Sequence, residues 1–171
     1  MKKALILFLI LSTSSILNAQ KYPEREEVEL GFNAGILQRF HSNYEQGRDE
    51  EGSPAFRLGV DFQRREKVFL GALSCSIEHG GFYQETYLNI SNGYGLALFY
   101  SKDFRIDILI SAGADLSPQI SGLWFRPALS GNLAFYHKNL RISLSTRTAL
   151  GIFEGYGETG ITIGYLLRQG I

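Results

Sequence analysis

The sequence has 171 residues, and its 17 basic and 17 acidic side chains give a formal net charge of +0 at pH 7. A balanced charge argues against nucleic acid, or any strongly charged molecule, as the main partner. The single cysteine, Cys75, excludes an intrachain disulfide. Hydrophobic residues make up 44% of the chain, yet no window after Ala19 is apolar for long enough to form a transmembrane helix.

The N-terminal segment has the order of a secretory signal peptide. Lys2 and Lys3 precede the apolar residues 4–10, which are followed by small residues up to Ala19. We expect residues 1–19 to be a cleaved signal peptide and residues 20–171 to form one exported domain, with cleavage close to Gln20. The alternative, a retained anchor helix, needs ~20 consecutive apolar residues.

The exported part contains eight successive runs in which bulky apolar residues alternate with small or polar ones. In chain order they cover residues 28–40, 56–63, 69–78, 94–101, 104–113, 129–136, 140–152 and 160–168. An alternation with a period of two is typical of a β-strand whose two faces meet different surroundings. The sequence therefore predicts eight strands, each with one apolar and one polar face.

The fourth run is the least regular of the eight. Its apolar face carries Tyr94, Leu96, Leu98 and Tyr100, and the bulky Phe99 falls on the opposite face. In the fifth run, Leu109 is likewise a bulky member of the polar face.

The connections between the runs are alternately short and long. Residues 64–67, 101–103 and 137–139 are predicted to be tight turns, whereas residues 41–55, 79–92, 115–127 and 153–158 are predicted to be long loops. Outer-membrane β-barrels have short periplasmic turns, long external loops and an even number of strands. The pattern of connections therefore agrees with such a barrel.

Side-chain size distinguishes a membrane barrel from a soluble one. A soluble barrel directs its bulky apolar face inward, but an eight-stranded interior has room for little more than small side chains. Here the polar face supplies the small residues, for example Gly31, Gly59 and Ser74, and the apolar face carries no charge within the runs. The sequence therefore predicts an all-β fold, an eight-stranded antiparallel up-and-down transmembrane β-barrel. A soluble periplasmic lipocalin-like binding barrel is the alternative.

Aromatic residues near the strand ends predict two girdles at the membrane interfaces. At the short-turn ends these residues are Phe62, Phe69, Tyr100, Phe104, Phe135 and Tyr165, and at the long-loop ends they are Phe40, Phe56, Phe82, Trp124, Phe125, Phe153 and Tyr156.

With its runs arranged in this way, the chain resembles the small eight-stranded outer-membrane proteins of the OmpA-transmembrane and OmpX type. It also resembles the PorT-like outer-membrane β-barrel families, whose cleavage site is matched by Asn18, Ala19 and Gln20. The resemblance implies the outer membrane of a Gram-negative-type cell, contact with outer-membrane lipid and lipopolysaccharide, and insertion by the barrel-assembly machinery. Ile171 stands where these families have a C-terminal aromatic residue.

The polar faces would bring many charged residues into the lumen. They are Glu29, Arg39, Arg57, Asp61, Glu78, Arg105, Asp107, Asp115, Arg141, Arg147 and Arg168. Because burying an unpaired charge is costly, mixed signs predict ion pairs. The network either fills a barrel that does not conduct, which we favour, or lines a narrow pore for small solutes or ions.

The strand order also predicts which lumen charges meet. Glu29 in the first strand and Arg168 in the last are expected to lie together where the barrel closes, with Arg105, Asp107 and Arg141 at similar depth. At mid-height, we expect Asp61 to pair with Arg147.

An enzymatic alternative depends on two residues in the first long loop. His41 and Ser42, with Asn43 and Glu45 nearby, resemble the His and Ser pairing of outer-membrane lipid A deacylases. In that family one residue separates the pair on a strand, whereas here the two are adjacent. We therefore keep a lipid A-modifying hydrolase as an alternative, assign no catalytic, cofactor-binding or metal-binding residue, and expect no cofactor.

Loop aromatics are the better functional signal in the sequence. Tyr44, Phe82, Tyr83, Tyr87, Trp124, Phe125 and Tyr156 are predicted to form an external patch for a protein, glycan or lipopolysaccharide partner, or else to seat the loops on the membrane. The resulting hypothesis is a non-enzymatic barrel with an envelope-structural or surface-interaction role, alone or as a subunit of a larger envelope assembly.

Overall fold

The computed structural model describes residues 26–43, 48–49, 52–81, 85–101, 103–117, 125–150 and 154–170. The predicted signal peptide, residues 1–19, lies outside these ranges and stays a prediction. Within them, no helix combines the length and the apolar character needed to cross a membrane.

Nine strands make up the described part of the chain. They are β1 Glu27–Asn43, β2 Arg48–Asp49, β3 Ser53–Glu66, β4 Phe69–Gly80, β5 Glu85–Tyr100, β6 Phe104–Leu116, β7 Phe125–His137, β8 Leu140–Leu150 and β9 Glu154–Gly170. Eight are long, and β2 is a two-residue extension that pairs with Ser42 and Asn43 of β1.

The eight long strands form one closed antiparallel sheet. Each pairs with the next long strand in the chain, and β1 also pairs with β9, from Glu27 opposite Gly170 to Asn43 opposite Glu154. A closed sheet has no long unpaired edge, so its backbone groups are satisfied without water. The predicted eight-stranded up-and-down barrel is confirmed.

The two faces of the sheet are oriented as a membrane requires. Large apolar side chains cover the outside, where Ile110 is 68% and Leu58 is 67% exposed, whereas charged side chains such as Glu29 and Arg105 are buried inside. A lipocalin-like barrel has the opposite arrangement, with an apolar interior. The structure therefore contradicts the soluble alternative and agrees with a transmembrane barrel.

Most of the predicted girdle aromatics are exposed on this outer face. They are Phe62, Phe69, Phe104 and Tyr165 at the short-turn ends and Phe40, Phe56 and Phe125 at the long-loop ends. Phe135 is half-buried, and Phe82, Trp124 and Phe153 lie outside the described residues. The predicted girdle positions of Tyr100 and Tyr156 are wrong, because both side chains point into the lumen.

Several connections are shorter than predicted. β5 begins at Glu85, so most of the predicted loop 79–92 is strand, and β9 begins at Glu154, inside the predicted loop 153–158. β3 continues to Glu66, through most of the predicted turn 64–67. The physical reason is that polar residues are typical both of loops and of a barrel's inner face: the Asn89 side chain, for example, donates to Asp115 in the lumen at 2.8 Å.

A β-bulge explains the irregular fourth run. Ala97 lies opposite Asp107 but Phe99 lies opposite Ile106, so one extra residue enters β5 between them. The extra residue reverses the faces that follow it. The Tyr100 hydroxyl therefore donates to Glu27 at 3.0 Å on the inner side, while the Phe99 ring lies 5.8 Å from that of Phe104.

The orientation of the outer face can be tested at Ile110, in the middle of β6. We expect Ile110→Arg to lower the free energy of unfolding by about 2–4 kcal/mol, because a cation then faces the lipid near the midplane. Urea unfolding of the protein refolded into lipid vesicles measures the change. Ile110→Leu is the matched control and should leave stability nearly unchanged; equal stability of the two variants would contradict a lipid-facing Ile110.

Candidate functional site

The charged lumen is the candidate site, and its ion pairs form two clusters. We call the end of the barrel that holds the β3–β4, β5–β6 and β7–β8 connections the turn end, and the opposite end the loop end. The turn-end cluster consists of Glu29, Arg65, Arg105, Asp107 and Arg168. The loop-end cluster consists of Arg39, Arg57, Glu78, Asp115, Arg147 and Glu158.

Glu29 is the centre of the turn-end cluster. The two terminal nitrogens of Arg105 donate to its two carboxylate oxygens at 2.6 and 2.7 Å, which is the strong bidentate geometry of an arginine–carboxylate pair. Arg168, opposite Glu29 in the β1–β9 register, places its Nε 3.0 Å from the same carboxylate. The predicted ion pair at the closing seam is confirmed.

Asp107 extends this cluster across the lumen. Arg65 donates to Asp107 at 2.8 Å, and the Nε of Arg105 lies 2.9 Å from the same Asp107 oxygen. The Arg105 guanidinium carbon also lies 3.7 Å from the centroid of the Tyr136 ring, a cation–π contact. Arg65 thus occupies the place that the sequence analysis gave to Arg141.

Arg141 instead pairs with Asp61 above the turn-end cluster. The Asp61 carboxylate also accepts a hydrogen bond from Asn33 at 2.8 Å. Arg141 reaches Asp61 past Gly164, where an added Cβ would lie 3.3 Å from its Nε. The predicted Asp61–Arg147 pair is wrong, because Arg147 lies opposite Glu158 in the β8–β9 register and pairs with carboxylates of the loop-end cluster.

In the loop-end cluster, two of the three carboxylates each contact all three arginines. Glu78 and Glu158 both accept from Arg39, at 2.8 and 3.1 Å, and both lie close to Arg57, at 2.7 and 2.6 Å. Arg147 pairs with Glu78 as well and lies 3.0 Å from Glu158. The side chains of Arg39 and Glu78 are both 0% exposed, so these charges are neutralised by one another and not by bulk water.

Two tyrosines cover the loop-end cluster. The Arg39 guanidinium carbon lies 4.6 Å from the Tyr87 ring centroid and 4.7 Å from that of Tyr156. The Tyr156 hydroxyl donates to Asp115 and accepts from Arg147 at 2.9 Å. Aromatic rings and hydrogen bonds therefore hold the arginines from the loop side.

This position corrects the predicted external aromatic patch. Tyr87 and Tyr156 are 0% and 2% exposed and line the lumen, whereas Phe125 is exposed on the outer face. The remaining predicted members, Tyr44, Phe82, Tyr83 and Trp124, lie outside the described residues. The physical reason is that β5 and β9 extend further than predicted, which brings both tyrosines into the inward phase of their strands.

A small polar cavity lies between the two clusters. Its volume is about 70 Å³, counted as the space open to the centres of water molecules, and serine side chains such as Ser74, Ser76 and Ser130 contribute to its wall. A single water needs roughly 10–15 Å³ on this measure, so the cavity has room for a few waters.

Sequence reasoning missed several lumen residues, among them Arg65, Tyr87, Arg126 and Glu158. Each was assigned to a turn or loop, although each continues the inward alternation of its strand: Arg65 is in phase with Asp61, for example. Arg126 donates to the Tyr87 hydroxyl at 3.0 Å. Extending the period of two beyond the assigned run ends would have identified all four.

The residues considered for hydrolase chemistry lie in a strand. In the β1–β9 register, His41 is opposite Tyr156 and Ser42 is opposite Gly155, so their predicted position in a loop is wrong; Glu45 lies outside the described residues.

In the part of the chain that the structure covers, no group of three His, Cys, Asp or Glu residues is placed to hold a metal ion.

No protein-family model matches the sequence, and no curated protein matches it. Several solved structures match the chain. The attachment invasion locus protein Ail of Yersinia pestis matches with a TM-score of 0.54 and 16% identity, over 85% of this chain and 100% of Ail. The outer membrane enzyme PagL matches with a TM-score of 0.61 and 10% identity, over 80% of this chain and 98% of PagL. Neisserial surface protein A matches with a TM-score of 0.50 and 10% identity, over 80% and 96%.

This chain has the fold of the small outer-membrane β-barrels. The predicted likeness to eight-stranded outer-membrane proteins is confirmed at the level of fold, and the outer-membrane location agrees with it. The narrower PorT-like assignment stays a prediction. Because the same fold is found in PagL, an enzyme, the absence of enzymatic activity also stays a prediction.

The loop-end cluster can be tested at Glu78. We expect Glu78→Gln to lower the free energy of unfolding by about 3–5 kcal/mol, because it leaves Arg39, Arg57 and Arg147 buried with one carboxylate fewer. Urea unfolding in lipid vesicles is the measurement. Glu66→Gln, at the exposed end of β3, is the matched control and should have little effect. A Glu78 variant as stable as the control would show that the cluster does not stabilise the barrel.

Proposed function

We propose that the protein is an integral outer-membrane barrel that does not conduct solutes and that serves the envelope as a structural or surface-interaction protein. Its apolar outer face, its closed sheet and its fold support a position across the outer membrane. Lipid and lipopolysaccharide would contact the belt of exposed apolar side chains, and the barrel-assembly machinery would insert it.

The observation that carries the proposal is the closure of the lumen at two levels. The turn-end and loop-end clusters each join carboxylates and arginines from several strands, and the cavity between them holds a few waters. An ion that crossed the barrel would have to separate buried pairs in both clusters. Breaking a buried pair costs about 3–5 kcal/mol, and an ion would meet this cost at both clusters. The two clusters together therefore favour a plugged barrel over a pore.

A plugged barrel leaves its ends as the surfaces where a partner can bind. Phe125 is exposed at the loop end, and it directly follows Trp124 in the sequence. The buried loop-end cluster, with Tyr87 and Tyr156 above it, closes the lumen below that end. An extracellular protein or glycan is therefore the class of partner that we propose.

Conductance across planar bilayers tests the plug. We expect no current steps from the wild type, from a loop-end variant with Glu78→Ala and Arg147→Ala, or from a turn-end variant with Glu29→Ala and Arg105→Ala. Combining the four substitutions removes one pair at each level and should produce steps. Conductance of the wild type would overturn the proposal and establish the narrow pore.

The same preparations need a control for correct folding. A closed barrel resists SDS until it is heated, so unheated and boiled samples of the outer-membrane fraction should migrate differently on a gel. A variant counts in the conductance series when it shows this heat-dependent shift. A wild-type protein found in the soluble fraction without the shift would contradict the membrane location itself.

A lipid A-modifying hydrolase is the second candidate, supported by the fold that this chain shares with an outer-membrane enzyme. The test is a mass spectrum of lipid A from cells that produce the wild type or Ser42→Ala. A change in acyl-chain number that depends on Ser42 would favour the enzyme. Identical spectra with and without the protein would favour the non-enzymatic barrel.

A further inference from the structure

The three connections at the turn end share a sequence pattern. Residues 67–69, 102–104 and 138–140 read Lys-Val-Phe, Lys-Asp-Phe and Lys-Asn-Leu, so a lysine stands two positions before the apolar residue that begins the next strand. The sequence has no other lysine downstream of Lys21, whereas the buried cations of the described lumen are all arginines. The chain thus uses arginine for its internal ion pairs and lysine for its short turns.

Two of these connections are described in full and are two-residue hairpin turns. Lys67 and Val68 join β3 to β4, and Lys138 and Asn139 join β7 to β8. Both lysines have a positive φ, 54° at Lys67 and 52° at Lys138. Glycine, asparagine or aspartate is typical at the first position of such a turn, because a long side chain with a Cβ rarely adopts a positive φ. Lysine at both positions indicates a role for the side chain beyond turn formation. We call residues 67–69 and 138–140 the lysine turns.

Neighbouring strands fix the backbone of both lysine turns. The amide of Ala97 donates to the carbonyl oxygen of Val68 at 2.8 Å, and the amide of Leu166 donates to the carbonyl oxygen of Asn139 at 2.8 Å. The side chains of the two lysines are exposed. Each turn therefore presents its ammonium group from a fixed position on the rim of the barrel.

The described part of the protein does not use these ammonium groups. Among the described residues, neither Lys67 nor Lys138 forms an ion pair, although the exposed Glu66 directly precedes Lys67. By contrast, the exposed Arg64 at the same end pairs with Glu26. Both ammonium groups are therefore open to a partner outside the described chain.

The apolar residues of the turns set the depth of the lysines. Phe69 is 66% and Leu140 is 56% exposed on the outer face, at the turn-end border of the apolar belt. Phe69 pairs with Glu66 in the register, so Lys67 lies one residue beyond it, about 3 Å further along the barrel. The headgroup layer on each side of the hydrocarbon core is roughly 5–8 Å thick. The ammonium group of Lys67 therefore reaches the headgroup layer, and Lys138 stands in the same relation to Leu140.

We propose that the lysine turns bind the phosphate groups of anionic phospholipids in the periplasmic leaflet of the outer membrane; this inference rests on the proposed function, because it requires the barrel to span that membrane. Outer-membrane barrels direct their short turns to the periplasm. The exposed Phe69 and Leu140 continue each turn into the apolar belt, so a molecule that fits both parts carries a phosphate above an acyl chain. A lysine next to an anionic membrane surface strengthens binding about fivefold.

Quenching by brominated lipids tests each turn separately. The single tryptophan, Trp124, is first replaced by phenylalanine, and a reporter is then introduced as Phe69→Trp, as Leu140→Trp or, in the loop-end half of β1, as Ile36→Trp. Each protein is refolded into phosphatidylcholine vesicles that contain brominated phosphatidylglycerol or brominated phosphatidylcholine. We expect phosphatidylglycerol to bind about three- to fivefold more tightly than phosphatidylcholine at positions 69 and 140, and equally at position 36.

Substitutions at one turn, read at both turns, identify the lysine that acts. Lys67→Gln should abolish the preference for phosphatidylglycerol at position 69 and leave it unchanged at position 140, which lies four strands away. Lys138→Gln should do the reverse. Lys67→Arg should retain the preference at position 69, because an arginine keeps the charge that pairs with phosphate.

The outcomes separate this inference from the proposed function. Equal binding of the two lipids at positions 69 and 140, or a preference that the glutamine substitutions leave unchanged, would overturn the headgroup sites. Loss of the preference at both reporters after a single substitution would replace two local sites with a general effect of net charge and would overturn them as well. Each of these results, in a protein that keeps its heat-dependent gel shift, leaves the membrane barrel intact. Loss of the shift in the wild type would overturn the barrel and the headgroup sites together.

Discussion

The constraint on which the structure depends is that a sheet surrounded by lipid must pair its own backbone. An open edge would leave N–H and C=O groups without water, so the sheet closes when β1 pairs with β9 along the whole of both strands. Closure with eight strands fixes a narrow interior. The distribution of large, small and charged side chains over the two faces follows from that interior.

A narrow interior explains why the inner face combines glycines with charges of opposite sign in contact. A Cβ at Gly95 would collide with the carbonyl oxygen of Ile108, and a Cβ at Gly164 would lie 2.9 Å from the carbonyl oxygen of Phe32. Little room is left for water, so each lumen charge depends on a protein partner. The loop-end cluster meets this requirement with carboxylates that each contact several arginines, as Glu78 does.

The features that stabilise the barrel do not determine its function. Closure and the apolar belt stabilise the barrel, and the same fold is found in proteins as different as a surface protein and an enzyme. Function in such a barrel depends on features that stability does not require. Exposed aromatic residues at the loop end, such as Phe125, are a feature of this kind.

The sequence by itself determined the strands, their two faces and most of the lumen charges, because a period of two reports which residues meet lipid. It also determined the pairing of Glu29 with Arg168, since the first and last strands of a closed barrel must be neighbours. The tertiary structure alone decided that Asp61 pairs with Arg141 and that Tyr100 turns inward. The first depends on which carboxylate each arginine meets across the lumen, and the second depends on where a bulge interrupts a strand. Neither can be read from an alternation with a period of two.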